Sequence, residues 1–115
     1  MYRIMNSTTQ EAETDSEPFA VKLAKAGYSD FYVLSREAAA EILTEKRLEL
    51  LDYLNNNEVE SIRNLARQLD RDKKNVSDDL DILWENDLIE YEEDGSKKQP
   101  HPTSKNIFIK PVLEE

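Results

Sequence analysis

Basic side chains gather in two segments of a chain that is acidic overall. Residues 61–75 hold five Arg or Lys against two acids, and residues 95–111 hold four Lys and no acid, although the net charge is −10. Arg and Lys bind phosphate oxygens, and Asn and Ser pair with base edges. These segments therefore supply candidate residues for holding a nucleic acid: Arg63, Arg67, Arg71, Lys73, Lys74, Asn75, Ser77, Lys97 and Lys98.

Each candidate has a plainer interpretation beside the functional one. The arginines recur every four residues, so they can position phosphates or form surface salt bridges. Asn75 can pair with adenine, or it can be an ordinary solvated residue, and the same choice holds for Ser77. Lys97 and Lys98 can meet a phosphate backbone or form a solvated basic turn. An evenly acidic surface, as in some salt-adapted proteins, is the alternative for the whole composition, but it does not predict two acid-poor segments.

Two apolar stripes of helical period position these residues. The first stripe begins after Ser61, a candidate N-cap, and the second begins after Asp72, another candidate N-cap. The segment Asp70–Asp72 allows a turn of about three or four residues, the length that joins the helices of a helix-turn-helix. The residues of the stripes are Ile62, Leu65, Ala66 and Leu69, then Val76, Leu80, Leu83 and Trp84.

The flanking sequence supplies a third helix and a hairpin. Thr44 is a candidate N-cap for a helix that ends at 55–57, with Leu48, Leu50, Leu51 and Leu54 expected to face the core. Residues 58–60 are expected to add a very short strand. After Leu88 the period changes to two, and the Asp-Gly pair at 94–95 predicts a hairpin turn. Because Pro100 and Pro102 remove ladder donors, the return limb is expected to leave the sheet and to resume at 107–109.

The remaining sequence predicts three regions. Residues 1–17 are expected to form a disordered acidic tail, and residues 18–43 an N-terminal helical and extended extension. In that extension, Gly27 is a candidate left-handed helix cap, Ser35 is a candidate N-cap, and residues 31–34 form a strand or a connector. The aromatic residues there can form a dimer contact or plain core packing. Residues 44–113 are expected to form the main domain, mainly α with a small β-hairpin wing.

Several kinds of chemistry are not expected. The chain has no cysteine, its one histidine is His101, and it has two glycines, so the sequence contains no recognisable metal site, catalytic arrangement or phosphate-binding glycine loop. We expect no enzyme activity, no cofactor and no metal. No apolar run approaches the length of a membrane span, so no membrane association is expected and a cytoplasmic location is the default.

The segment from about Thr44 to Pro111 resembles the winged helix-turn-helix transcriptional regulators of the MarR/ArsR type, and most closely the short DNA-binding regulators of halophilic archaea. The resemblance rests on LTEKRLELL (43–51), SIRNLARQL (61–69), DKKNVSDDLDIL (72–83), DLIE (87–90) and DG (94–95). It implies a homodimer that places residues 73–77 in the major groove of double-stranded DNA. Lys97 and Lys98 would then meet a phosphate backbone or the minor groove.

We therefore expect a sequence-specific, homodimeric DNA-binding transcriptional regulator with a winged helix-turn-helix. The alternative is a protein-interaction adaptor or antitoxin-like module that uses the same fold and binds a basic partner through its acidic surface. Asp78 and Asp81, which lie near the expected DNA face, favour this alternative. Trp84 and Tyr91 continue apolar patterns, so core or dimer packing is expected for them ahead of base stacking. Asp79 is expected to hold an Arg or the wing by a salt bridge.

Overall fold

The computed structural model describes residues 2–4 and 18–111, which fall into two compact units. One unit combines the residues up to 41 with those from 104 onward, and the other spans residues 42–103. In chain order the elements are β1 (Tyr2–Ile4), α1 (Phe19–Lys25), β2 (Phe31–Leu34), α2 (Arg36–Ile42), α3 (Glu45–Asn56), α4 (Ile62–Gln68), α5 (Lys73–Glu85), β3 (Ile89–Asp94), β4 (Lys97–Pro102) and β5 (Asn106–Ile109).

The first unit contains a three-stranded parallel sheet in the order β1-β2-β5. Phe31 and Val33 of β2 pack with Ala20 and Leu23 of α1 in a buried cluster, and Phe108 of β5 packs against it. The helix cap predicted at Gly27 is confirmed, because its φ is +102° directly after α1. Strand β1 lies within the stretch expected to form a disordered tail, and the rest of residues 1–17 lies outside the described residues.

Strand β5 corrects the expected course of the return limb. Residues 107–109 do not resume the hairpin but pair in parallel with β2, where Val33 lies opposite Phe108. The basic segment 95–111 is therefore divided. Lys97 and Lys98 belong to the unit of residues 42–103, whereas Lys105 and Lys110 belong to the other unit.

The second unit has the fold expected of a winged helix, three helices followed by a hairpin. The predicted N-caps are confirmed, since the Ser61 hydroxyl accepts a hydrogen bond from Asn64 N (3.0 Å) and the Asp72 carboxylate accepts one from Lys74 N (3.1 Å). The Thr44 hydroxyl likewise accepts from Arg47 N at 3.3 Å. The most deeply buried apolar side chains in the core of this unit, each at most 2% exposed, include Leu50, Leu65, Val76, Leu80, Leu83, Leu88 and Ile89.

Two large apolar residues assigned to the core from sequence lie outside it. Leu48 is 47% exposed and Trp84 is 53% exposed. At about 100° per residue, Leu48 falls well away from the direction shared by Leu50, Leu51 and Leu54, so it points outward. Helix α5 already fills the core with Val76, Leu80 and Leu83, and Trp84 lies at the edge of that face.

The hairpin β3–β4 keeps its pairing through both prolines, contrary to the expectation that the return limb leaves the sheet there. Ile89 lies opposite Pro102 and Tyr91 lies opposite Pro100. Thr103 N donates a hydrogen bond to Leu88 O, so the Leu88–Thr103 pair next to Ile89–Pro102 is a hydrogen-bonded pair. Hydrogen-bonded and non-hydrogen-bonded pairs alternate along an antiparallel ladder, so both proline pairs are non-hydrogen-bonded. Their nitrogens therefore face the outer edge, where no ladder donor is needed. Residues 58–60 form no strand.

Candidate nucleic-acid interface

Five of the nine predicted binding residues line one groove in the unit of residues 42–103. The groove has a volume of about 570 Å³, and its basic lining comes from three elements. These basic residues are Arg63 and Arg67 from α4, Lys73 from α5, and Lys97 and Lys98 from β4. Glu60 is the one acid in the lining, and Ser61, Asn64 and Ser96 add polar groups.

Local sequence features determine where the five cations lie. The Ser61 cap begins α4, so Arg63 and Arg67, four residues apart, share a helix face. Asp70, with φ +55°, turns the chain between the helices, and the Asp72 cap then makes Lys73 the first residue of α5. At the hairpin, Gly95 has φ +66° in a two-residue turn that begins β4 at Lys97.

Contacts within the hairpin hold the last of these lysines. Lys98 Nζ lies 4.9 Å from the centroid of the Tyr91 ring, a cation–π contact. Across the ladder, Glu93 lies opposite Lys98 and Asp94 lies opposite Lys97. Burial raises the pKa of Tyr91 to about 12, and the nearby carboxylate of Asp81 adds to the rise. Because Glu93 and Asp94 lie opposite Lys98 and Lys97 but do not line the groove, they lower the net charge of the hairpin outside the groove.

Arg71 is engaged in an internal ion network instead of lining the groove. Its Nη2 donates to Asp79 at 2.8 Å, and Arg47 Nε donates to the other oxygen of Asp79 at 3.1 Å. The three side chains are only 13–16% exposed. Arg47 also donates to the carbonyl of Ile42 at 3.2 Å. The expectation that Asp79 holds an Arg is confirmed, and in this arrangement Arg71 is occupied by that carboxylate.

The other three predicted residues lie on α5 outside the groove lining. Lys74 is 80% exposed and pairs with Asp78 at 3.3 Å, so a carboxylate offsets its charge. Asn75 is exposed and Ser77 is half-buried. Because residues two apart on a helix differ by about 200° around its axis, Asn75 and Ser77 face nearly opposite directions. A ligand that approaches α5 from one side therefore cannot contact Asn75 and Ser77 equally well.

Sequence reasoning missed several lining residues and one ion partner. Asn64 lies beside Arg63 in the first turn of α4, and Ser96 lies beside the hairpin lysines. Asn64 and Ser96 could have been predicted from sequence, because each is adjacent to a basic residue near a helix cap or a hairpin turn. The partnership of Arg47 with Asp79 joins residues 32 apart in sequence, and no local pattern reveals it.

Trp84 and Tyr91 form an aromatic pair at the junction of α5 and β3. Their ring centroids are 6.4 Å apart and the rings are tilted by 37°. Trp84 is half-exposed, so the expectation that it packs in the core is wrong. Tyr91 is half-buried. Asp81, three residues before Trp84 on α5, is exposed.

The single histidine lies on the hairpin and pairs with a carboxylate. His101 Nε2 lies 3.1 Å from Glu92 Oε1 on the hairpin, and this pair is exposed to solvent. Within residues 2–4 and 18–111, no group of three or more His, Cys, Asp or Glu side chains is arranged to hold a metal ion. In the same residues, none of the helices has the length and hydropathy of a membrane span.

The order of three helices and an antiparallel hairpin defines residues 42–103 as a winged helix-turn-helix. A search of solved structures finds the homodimeric winged helix-turn-helix DNA-binding domain of a possible ArsR-family transcriptional regulator from Mycobacterium bovis. It superposes with a TM-score of 0.54 at 18% identity and covers 82% of this chain and 78% of that domain. The chain belongs to the HVO_A0114 family, which matches residues 42–109.

A curated relative of a different kind matches part of the sequence. Phosphoribosylaminoimidazole-succinocarboxamide synthase of Prochlorococcus marinus (strain NATL1A) is 34% identical over 62 residues, which is 54% of this chain. The chain spans only 25% of the length of that synthase. The structural neighbour, in contrast, is a DNA-binding domain and aligns over most of both chains.

Proposed function

We propose that this protein is a DNA-binding transcriptional regulator that docks double-stranded DNA along the basic groove. The observation that supports the proposal most is the convergence of Arg63, Arg67, Lys73, Lys97 and Lys98, from three elements, on one concave surface. Arg and Lys side chains in such an arrangement neutralise consecutive phosphates and release counterions. The groove thus provides the sequence-independent part of the affinity.

We further propose that sequence specificity comes from the first turns of α5. Lys74, Asn75 and Ser77 carry donors and acceptors suited to base edges in the major groove. Arg71 is left out of this contact surface because its guanidinium is bound to Asp79. A MarR/ArsR-like regulator in the cytoplasm of a halophilic archaeon fits the acidic composition, since a salty cytoplasm weakens phosphate contacts and leaves base contacts a larger share.

We propose that the regulator is a homodimer and that residues 18–43 contribute to its interface. Tyr28 is 50% exposed, and its ring packs edge-on against Phe108 with centroids 5.1 Å apart. A half-exposed aromatic residue supported by a second ring is typical of an interface anchor. Sedimentation equilibrium of the wild type and of Tyr28→Ala tests this proposal. A wild-type protein that is monomeric throughout would rule out the homodimer.

The test of DNA binding is a salt series of anisotropy titrations with a labelled mixed-sequence duplex. Five phosphate contacts per chain make ten per homodimer and predict a slope of log K against log salt of about −9, because each contact contributes about −0.9. Arg63→Gln/Lys97→Gln removes two groove cations from each chain and should make the slope shallower by about 3.6. The control Lys46→Gln/Lys105→Gln removes the same charge from exposed lysines outside the groove lining. Equal slopes for the two double variants would eliminate the groove as the contact surface.

A second candidate function is a protein-interaction adaptor or antitoxin-like module. It is favoured by the part of α5 from residue 78 onward, where Asp78, Asp81, Trp84 and Glu85 are all exposed. Such a surface suits a basic partner, because a cation can contact both carboxylates and the indole ring. The adaptor gains support if duplex affinity is too weak to measure at low salt, while Asp81→Asn/Glu85→Gln weakens binding of an Arg-rich peptide more than Glu45→Gln/Glu49→Gln does.

A further inference from the structure

We propose that the basic groove is also a binding site for a free oligophosphate, either an inorganic chain or the phosphates of a nucleotide, and that this ligand displaces DNA. The binding part of the proposal stands on the groove alone. The displacement part rests on the proposed function, because it assumes that DNA uses the same cations.

The shape of the groove suits a small ligand. Its volume of about 570 Å³ lies within the range of small-molecule sites, roughly 300–1,000 Å³. A surface that reads DNA by a protruding helix does not need a concavity, since the helix itself enters the DNA groove. Here α4, the start of α5 and the turn before β4 line a concave surface that is open to solvent. A compact ligand can therefore touch all three elements at once.

The lining selects phosphate groups over bases or apolar ligands. Its five cations and one carboxylate give a net charge of about +4, which matches the charge of a triphosphate chain. Guanidinium groups such as those of Arg63 and Arg67 bind phosphate through two parallel hydrogen bonds. No aromatic residue lines the groove, and Ile62 is its one apolar residue. Tyr91, which contacts Lys98, is not part of the lining, so the groove offers no stacking surface for a base.

Local contacts hold the backbone that carries the groove cations. The hairpin is held by six paired positions, and the cation–π contact restrains Lys98. Caps at Ser61 and Asp72 fix the first turns that carry Arg63 and Lys73. A backbone that is already positioned reduces the conformational entropy that is lost when its side chains bind a ligand. This preorganisation favours saturable binding at defined stoichiometry over diffuse attraction.

The experiment is isothermal titration calorimetry of the full chain with tripolyphosphate, ATP, adenosine and orthophosphate, in EDTA and at matched ionic strength. We expect tripolyphosphate and ATP to bind at one per chain with similar Kd, and adenosine not to bind. Arg63→Gln/Lys97→Gln should raise both Kd values about tenfold or more, whereas Lys46→Gln/Lys105→Gln should leave them within twofold. Binding of ATP without tripolyphosphate, or equal loss in both variants, overturns the proposal.

A competition experiment then tests displacement. With tripolyphosphate at ten times its Kd, the apparent Kd for the labelled duplex should rise about elevenfold, and sodium chloride of equal ionic strength should raise it less. The two proposals fail in different ways. Duplex binding that depends on the groove, with no saturable oligophosphate binding, refutes this inference alone. Saturable oligophosphate binding without duplex binding supports the site and refutes the regulator.

Discussion

Asp79 and Asp78 are adjacent acids on α5 whose removal should have very different consequences. Asp79 bridges Arg47 and Arg71 in a network whose side chains are 13–16% exposed, whereas Asp78 is 59% exposed and pairs with Lys74. We predict that Asp79→Ala strongly destabilises the unit of residues 42–103 and that Asp78→Ala hardly changes its stability. The pair is a matched comparison, since each variant removes one carboxylate from the same helix.

The magnitude follows from what each carboxylate leaves behind. Removing one partner of a mostly buried ion pair costs about 3–5 kcal/mol, and the residual exposure of Arg47 and Arg71 places this case near 3. Nη1 of Arg71 is already buried and has no hydrogen-bond partner among the described residues, so the loss of Asp79 leaves this guanidinium poorly satisfied. An exposed helical pair such as Lys74–Asp78 contributes only about 0.3–0.5 kcal/mol.

Urea unfolding followed by the fluorescence of Trp84, the only tryptophan, reports on this unit. With a slope of about 1.5 kcal/mol per molar urea, Asp79→Ala should lower the midpoint by about 2 M and Asp78→Ala by less than about 0.4 M. The triple variant Arg47→Met/Arg71→Met/Asp79→Leu should recover most of the loss, because apolar replacement of a buried network is often neutral. Equal midpoints for Asp78→Ala and Asp79→Ala would refute the structural role of the network. A loss of duplex affinity specific to the triple variant would show that Arg47 or Arg71 contacts DNA.

Three further predictions concern the elements that shape the groove. The free energy of unfolding of the wild type should fall as the pH rises from about 10 to about 12. In this range Tyr91 loses its proton in the unfolded chain but keeps it in the folded protein. The difference in free energy of unfolding between the wild type and Tyr91→Phe, measured across these pH values, isolates the effect. Ser61→Ala should cost about 1 kcal/mol in urea unfolding by removing the acceptor for Asn64 N, and Ser61→Asp should restore most of it. Gly95→Ala should cost about 1–2 kcal/mol, because an alanine at φ +66° is strained although no atom lies within 4 Å of its Cβ; Ser96→Ala is the control.

The helices of residues 42–103 were predictable because their signals are local. Apolar spacing and the capping residues Ser61 and Asp72 define where α4 and α5 begin, and the structure confirms both caps. The same locality predicted that Lys97 and Lys98 follow a hairpin turn. For the groove, local patterns predicted its five cations among the candidate residues. They did not predict that these cations converge, because convergence depends on how three elements pack in the fold.

The errors involve pairing partners and ladder positions that local sequence patterns do not reveal. Residues 107–109 are β-prone, but β-propensity does not identify a partner strand, and they pair with residues 32–34 some 75 positions earlier. Arg71 was grouped with Arg63 and Arg67 because the three recur every four residues, yet its partner Asp79 is shared with Arg47 in another helix. The prolines of β4 were expected to break the ladder because residue type alone does not reveal which ladder positions are non-bonded.

The charges of α5 limit how DNA can approach it. Basic residues occupy its first two positions, whereas its later exposed positions include Asp78, Asp81 and Glu85. A duplex laid along the whole exposed face would bring phosphates near those carboxylates, and this repulsion is costly where water is excluded. A duplex that meets α5 only as far as Ser77, while the groove between α4 and the hairpin turn contacts the phosphate backbone, reduces that cost. In the proposed complex, therefore, the groove positions the DNA through its phosphates, and only the first turns of α5 contact bases. Substitutions in the groove should then change the affinity for any duplex, whereas substitutions in the first turns of α5 should change the sequence specificity.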